Sequence, residues 1–482
     1  MPAVMLQGTG SDVGKSVLVA GLCRVFTDRG LVVRPFKPQN MSNNAAPTSD
    51  GGEIGRAQAL QAQGCRVPAL VDMNPVLLKP QTDMESQVIV RGKVYGRLHA
   101  EDFIAGRALF LEPVMQSFAR LKAESDLVIV EGAGSPAEIN LRTGDIANMG
   151  FARPAGVPVI LVGDIDRGGV IASLVGTKMV LDPEDAAMIR GFLINRFRGD
   201  EALFRDGYRV IEERTGWRGL GIVPWMAAAR GLPEEDAIPA NLEGGDGICI
   251  AVPLLPHISN HDDFDALEAE TSVRLVRVAP GHALPGNARL VVLPGSKATI
   301  GDLAFFRAQG WDVDLLAHIR RGGYVLGLCG GYQMLGKTIA DPLGLEGEPG
   351  VAAGLGLLPV NTVLDAAKRV TETGGVSLPD GTPFRGYEIH SGRTEREPGV
   401  PPFLRLSGGG EDGAVSHNGR VAGCYVHRLF DDPGQRAYRL AMLGAASDGI
   451  DQNARVEAAL DAIASRLAAC LDIDGILDIA AS

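Results

Sequence analysis

The sequence predicts an α/β protein built from two doubly wound, mostly parallel-sheet domains, and three observations carry that expectation. Short apolar runs end repeatedly in glycine-rich or polar turns and are followed by segments of helical periodicity, the pattern of successive βα units. The composition of 63 Gly against 15 Phe and 3 Trp suits many tight βα turns. The length of 482 residues calls for two or three domains, each with its own core. A formal charge of -12 argues against a nucleic-acid surface spread over the whole protein. The six cysteines include no CxxC pair and no metal-like spacing, which fits a reducing compartment. Met1 leads straight into an apolar strand without a basic segment or cleavage site, and no apolar run is long enough to span a bilayer. The expected localisation is cytoplasmic, with no membrane partner.

The first domain is expected over residues 1–225. Ala3 to Gln7 read as a strand, Gly8-Thr-Gly-Ser-Asp-Val-Gly-Lys-Ser16 as a glycine-rich loop, and Val17 to Thr27 as a helix. Strand, glycine loop and helix make a phosphate cradle, because the loop N–H groups and the helix N-terminus carry partial positive charge. Gly8, Thr9, Gly10, Ser11, Asp12 and Gly14 would form the cradle, Lys15 would reach the terminal phosphates, and the Ser16 hydroxyl would ligate magnesium. Gly8 stands one residue earlier than the usual pattern requires, which lengthens the loop. Val32 to Phe36 form the next strand and deliver Lys37 to the carboxyl edge of the sheet, where it can neutralise an anion or simply face solvent. Glu53 is a weaker candidate for a magnesium ligand. Asp126 to Val130 form a strand ending in Glu131, whose acidic side chain beside the loop suits magnesium or its water. Val157 to Val162, Arg190 to Ile194 and Gly219 to Pro224 complete the sheet, and Asn195 at a strand end suits either an adenine edge or a turn.

Residues 226–247 lose periodicity and collect Pro, Gly and acidic residues, so a linker is expected there. Strand-like runs resume at Ile248 to Leu255, Val273 to Val278, Leu290 to Leu293 and Tyr324 to Leu328, in a second domain expected over residues 248–440. The Tyr324–Leu328 run delivers Cys329 into Gly330 and Gly331, a strand-to-helix elbow. Glycines there clear the approach to the sulfur, and the helix N-terminus behind it favours a thiolate nucleophile. Val421 to Val426 form a strand that delivers His427, the preferred base; His390, between flexible neighbours, competes for that role. His257, His261, Asp262, Asp263 and Asp265 lie close together, but Pro256, Ser259 and Asn260 point to a substrate-facing loop before a helix starting near Asp263, more than to a metal site. Val456, Leu460, Ile463, Leu467 and Leu471 recur at helical spacing, so residues 441–482 should hold an amphipathic helix packed on the body.

Taken together, the two halves resemble the cobyric acid synthases of cobalamin biosynthesis over nearly the whole chain. The loop Gly8–Ser16 resembles that of dethiobiotin synthetase-like P-loop ATPases. Arg34-Pro-Phe-Lys-Pro-Gln-Asn-Met41, Glu131-Gly-Ala-Gly-Ser-Pro-Ala-Glu-Ile-Asn140, Asp263-Phe-Asp-Ala-Leu267 and Arg385-Gly-Tyr-Glu-Ile-His390 look like that family's own signatures. Cys329 in its elbow and His427 match the nucleophile and base of class I glutamine amidotransferases. The resemblance implies a P-loop NTPase-like domain followed by a class I glutamine amidotransferase-like domain. It also implies ATP and Mg2+ as cofactors, glutamine as nitrogen donor, and adenosylcobyrinic acid a,c-diamide as corrinoid substrate. Four peripheral carboxylates would be amidated through acyl phosphates, with backbone N–H groups near Gly295 and Gly330 holding the oxyanion. Two other readings stand beside this one: a cobyrinic acid a,c-diamide synthase, and a ParA-like ATPase switch with a non-catalytic second domain. In most class I amidotransferases Pro and Glu follow the catalytic His, the Glu orienting the imidazole. Arg428 and Leu429 occupy those places here. A dyad, or a third member elsewhere in the chain, is therefore expected.

Overall fold

The computed structural model describes residues 1–81, 85–99, 102, 106–233, 235, 247–346 and 348–482. Its first sheet is wholly parallel and six-stranded, in the order Arg218–Pro224, Ile189–Phe197, Val159–Asp164, Ala3–Gly8, Leu127–Glu131, Val33–Phe36. The central strands Ala3–Gly8, Leu127–Glu131 and Val159–Asp164 are buried along their whole length and read as mainly apolar runs, which is why they are visible in the sequence. Ala3–Gly8 pairs with Val159–Asp164 on one side and Leu127–Glu131 on the other. The strand order reverses there, and a ligand crevice opens at the carboxyl ends of strands beside such a switch point. Between Phe36 and Leu127 the chain adds a four-stranded sheet of Gln39–Met41, Val76–Pro80, Glu85–Val90 and Lys93–His99, which the sequence pattern did not reveal.

The second half holds a six-stranded sheet ordered Val273–Val278, Ile248–Pro253, Leu290–Leu293, Tyr324–Leu328, Val421–Cys424, Ala414–Val415, parallel except for its last pair. A further, mostly antiparallel sheet is dominated by the long hairpin of Val360–Ser377 against Pro383–Arg396. The expected single strand Val421 to Val426 is divided between the two sheets. Val421–Cys424 pairs with Tyr324–Leu328, and Val426–His427 pairs with Pro383–Arg396. His427 therefore sits where the chain crosses from one sheet to the other.

Of the expected linker, residues 234 and 236–246 lie outside the described residues. Its beginning belongs to the first half: the turn Ala227–Gly231 leads to Leu232, which is buried in the same core as Leu18 and Val223. The end of the chain returns there too. Helix Gln452–Cys470 lays Val456, Leu460, Ile463 and Leu467 against helix Lys15–Asp28. Gly21 makes room for this contact, since a Cβ there would lie 2.7 Å from the Ile463 Cγ2 atom. Arg24, fully buried, is held by Glu457 at 2.7 Å and by Asp461. Leu467 is fully buried, so Leu467→Ala should cost about 2–5 kcal/mol. Equilibrium urea unfolding checks this, and a change within the range of a surface substitution would show that the seam is not part of the core.

Candidate active site

In the first half the loop after strand Ala3–Gly8 closes on itself. Thr9 donates its N–H to the Val162 carbonyl at 2.9 Å, and Asp12 and Gly14 adopt φ values of 54° and 88°. Gly14 has no room for a side chain, because a Cβ would overlap the Asn195 amide. Asn195 donates to the Val13 carbonyl at 2.7 Å, so it braces the loop rather than only terminating its own strand. Lys15 donates to the Gly10 and Gly134 carbonyls, each at 3.2 Å. Burial drives its pKa down to about 8, against the opposing pull of Glu131.

Glu131 is the hub of this site. Its Oε1 accepts from the Ser16 hydroxyl at 2.8 Å and from Lys37 Nζ at 2.9 Å, while Oε2 accepts from Gln61. Burial alone would raise the carboxyl pKa; Lys37, Ser16 and Lys15 outweigh it and hold the group below the usual carboxylate range. Ser11, Lys15, Ser16, Lys37, Glu131 and Asn195 all line one cavity of ≈ 910 Å³. The adjoining Ser16 hydroxyl and Glu131 carboxylate are hard oxygen donors of the kind magnesium takes beside a phosphate cradle.

Glu53 is not part of this group. Its carboxylate is paired with Lys79 and Lys368, the latter from the long hairpin of the second half. Burial opposes its ionisation, but Lys368 and Lys79 prevail and keep the pKa far below the ordinary range. Glu53 does not line the cavity that holds Ser16 and Glu131, so the structure does not bring it to the expected magnesium site and places it instead at a salt-bridged junction between the halves.

In the second half Cys329 ends strand Tyr324–Leu328 with φ 48° and ψ −108°, a strained conformation for a residue with a Cβ, and helix Gly330–Leu335 begins directly after it. Glycines make the elbow possible. A Cβ on Gly330 would stand 2.8 Å from Ser296 N, and one on Gly327 would stand 2.6 Å from the Gly331 carbonyl oxygen. Gly295 lies equally close to the site, since its Cβ would meet His427 Cε1 at 3.2 Å. The strand Pro383–Arg396 covers the sulfur, which donates weakly to the Ile389 carbonyl at 3.6 Å. Gly386 of that strand faces the His427 carbonyl with no space for a side chain, and Tyr387 stacks on the His427 ring at 5.3 Å.

His427 is fully buried. Its Nδ1 lies 2.8 Å from Asp263 Oδ2, and Asp263 Oδ1 accepts the Arg428 N–H at 2.6 Å. Burial works against the charged imidazole, but Asp263 and the Cys329 sulfur outweigh it and raise the pKa to about 10. The competitor His390 is engaged elsewhere, its Nδ1 2.8 Å from the Gly392 carbonyl oxygen and its ring stacked on Tyr425 at 3.7 Å.

The acidic and histidine cluster at 257–265 does not converge on one point. His257 meets Asp302, His261 meets Asn44, Asp262 pairs with Arg56 and Asp263 meets His427. Asp263, read from the sequence as the start of a helix, is thus the side chain that touches the imidazole. The signal for it was present in the Asp263–Leu267 signature, but its partner lies 164 residues further along the chain.

A phosphate-cradling loop on a parallel sheet, joined to a Cys–His elbow on a second sheet, defines a nucleotide-binding protein fused to a glutamine amidotransferase. Residues 4–239 match the CobQ/CobB/MinD/ParA nucleotide binding domain, and residues 249–435 match the CobB/CobQ-like glutamine amidotransferase domain. A cobyric acid synthase of Sphingopyxis alaskensis is 60% identical over 485 aligned positions, covering 100% of this chain and 99% of that protein. Those of Rhizorhabdus wittichii and Cereibacter sphaeroides are 60% and 58% identical, with 100% of this chain covered in each case and 99% and 100% of those proteins. The chain belongs to the cobyric acid synthase family, and it is a glutamine-dependent carbon–nitrogen ligase. Among the described residues, no helix is long and apolar enough to cross a membrane.

Proposed function

We propose that the protein converts adenosylcobyrinic acid a,c-diamide to adenosylcobyric acid by amidating four peripheral carboxylates with glutamine nitrogen and ATP. The observation that carries this reading is the presence, in one chain similar end to end to cobyric acid synthases, of both the cradle around Lys15 and the buried Cys329–His427 pair. The cradle binds the triphosphate of ATP, with the loop N–H groups of Gly8 to Gly14 and the Lys15 ammonium turned to phosphate oxygens. Asn195 holds the loop in shape and lies in the cavity wall where it can also meet the base. Ser16 and Glu131 would hold Mg2+, which supplies charge neutralisation at the phosphates. Lys37, which lies between Glu131 and Glu235 in the cavity wall, carries positive charge to the place where the substrate anion would enter.

A free carboxylate is a poor electrophile for an amine. Transfer of the terminal phosphoryl group makes it an acyl phosphate and leaves ADP. At the second site the Cys329 sulfur attacks the glutamine carboxamide, the N–H groups of Gly295 and Gly330 steady the oxyanion, and the His427 imidazolium protonates the departing ammonia. Water then releases glutamate from the thioester. Ammonia attacks the acyl phosphate, forming the amide and expelling phosphate.

The test is to incubate the protein with ATP, glutamine and the a,c-diamide and to weigh the corrinoid products. Four successive conversions of acid to amide are expected. Activity on cobyrinic acid that stops at the a,c-diamide would instead mark a cobyrinic acid a,c-diamide synthase, and no amidation of either corrinoid would defeat both readings.

A further inference from the structure

The carboxylate that meets His427 is presented by a short turn, Asn260–Asp263, and every residue of the turn before Asp263 is gripped by the other half of the protein. The Asn260 side-chain carbonyl accepts the Ala45 N–H at 3.2 Å. Asn44 and His261 bond reciprocally: the Asn44 side-chain carbonyl accepts the His261 N–H at 3.2 Å, and the Asn44 amide meets His261 Nδ1 at 2.8 Å. Asp262 Oδ2 pairs with Arg56 Nε at 3.0 Å, with both side chains almost wholly buried. Asp263 follows, with one oxygen on His427 Nδ1 and the other on the Arg428 N–H. The carboxylate is thereby fixed relative to the ring and to the backbone beyond it.

The same set of contacts continues in the opposite direction. The Asn44 amide also donates to the Glu235 carbonyl, and the Asn40 amide donates to the Glu235 carboxylate. Asn40 and Glu235 line the cavity that holds Lys15 and Ser16. Hydrogen bonds thus link the wall of the nucleotide cavity to His261, and Asp263, two residues further along the same turn, carries the contact to the imidazole of the glutaminase site.

We propose that Asn44 and Arg56 of the nucleotide-binding half are positioning residues for glutamine hydrolysis, acting through the Asn260–Asp263 turn on the carboxylate that orients His427. The inference rests on Cys329 and His427 being nucleophile and base. It gives the glutaminase site a third member that comes from 164 residues before the histidine, and it makes the geometry of that member depend on the other half.

Contiguity alone is not coupling, and a double-mutant cycle supplies the missing measurement. Glutamine hydrolysis and ammonia-driven corrinoid amidation are measured in the full chain for Asn44→Ala, Arg56→Lys, Asp263→Asn, Asp263→Glu and the Asn44→Ala/Asp263→Asn pair. Asp263→Asn is expected to lower kcat for glutamine hydrolysis about tenfold or more with glutamine KM little changed, as for loss of a group acting in the transition state. Its alkaline limb should move to lower pH, because the imidazolium loses the charge that sustains it, and Asp263→Glu should recover part of the loss. Asn44→Ala and Arg56→Lys should each lower the same kcat while leaving ammonia-driven amidation unchanged. The paired variant should be no slower than Asp263→Asn alone. Multiplying effects in the pair, or an equal loss of ammonia-driven amidation in Asn44→Ala and Arg56→Lys, would overturn the proposal. So would an unaffected pH profile in Asp263→Asn. Retained glutamine hydrolysis in Cys329→Ala would instead overturn the underlying assignment of the nucleophile, so the two failures are distinguishable.

Discussion

Cys329→Ala is expected to abolish glutamine-driven amidation while leaving amidation with added ammonia intact. Cys329 is the side chain the elbow is built to present: it holds φ 48°, a conformation disfavoured for any residue but glycine, at the meeting of strand and helix. The imidazole that would assist the sulfur is held by Asp263 on its Nδ1 side, which leaves the other ring nitrogen for proton transfer. Loss of a nucleophile that acts as a unit with its base removes nearly all of the rate, on the order of 10⁴-fold or more. Alanine retains a Cβ and fits the strained position as well as cysteine does, so the fold around Gly330 and Gly331 should persist. Parallel assays with glutamine and with ammonium chloride check the result. If ammonia-driven synthesis disappears from a folded Cys329→Ala protein, the two halves do not divide the chemistry as proposed.

The central parallel strands of both halves are legible because they are buried and carry apolar residues on both faces, as in Val159–Asp164 and Leu290–Leu293. The nucleotide loop and the Cys329 elbow were legible because their chemistry is local: spacing within one strand–turn–helix unit specifies them. The long hairpin was not, since Val360–Ser377 carries Asp, Lys, Arg, Glu and Gly along a half-exposed face and lacks the apolar alternation that marks a strand. The partners of two side chains are hidden for a shared reason. Glu53 reads as a weak magnesium-ligand candidate and Asp263 as the start of a helix, yet the groups they meet, Lys368 and His427, lie 315 and 164 residues away. Charge partners that only tertiary folding brings together leave no periodicity in the chain. The departure at Arg428 and Leu429 is itself informative, because an absent orienting acid implies one elsewhere in the chain, and the Asp263 carboxylate lies 2.8 Å from His427 Nδ1.

Lys15→Ala is expected to eliminate amidation from either nitrogen source. The Lys15 ammonium is held by two backbone carbonyls at 3.2 Å each and stands in the same cavity as Ser16 and Glu131, whose pull does not offset the burial of the ammonium. Removing one preorganised cation from a phosphoryl-transfer site costs on the order of 10²–10³-fold in rate, and alanine leaves no donor to take its place. The sign of the pH effect follows from its environment. Burial lowers the free-state pKa to about 8, whereas a bound phosphate favours the charged form and raises it again. Nucleotide binding by the native protein should therefore take up a proton and weaken as pH rises through about 8, and calorimetry in buffers of different ionisation enthalpy measures that uptake. Lys15→Ala should bind nucleotide weakly, with this proton uptake removed. Unchanged proton uptake in the variant would assign the titration to another group. Unchanged ammonia-driven synthesis would remove Lys15 from the phosphoryl-transfer step altogether.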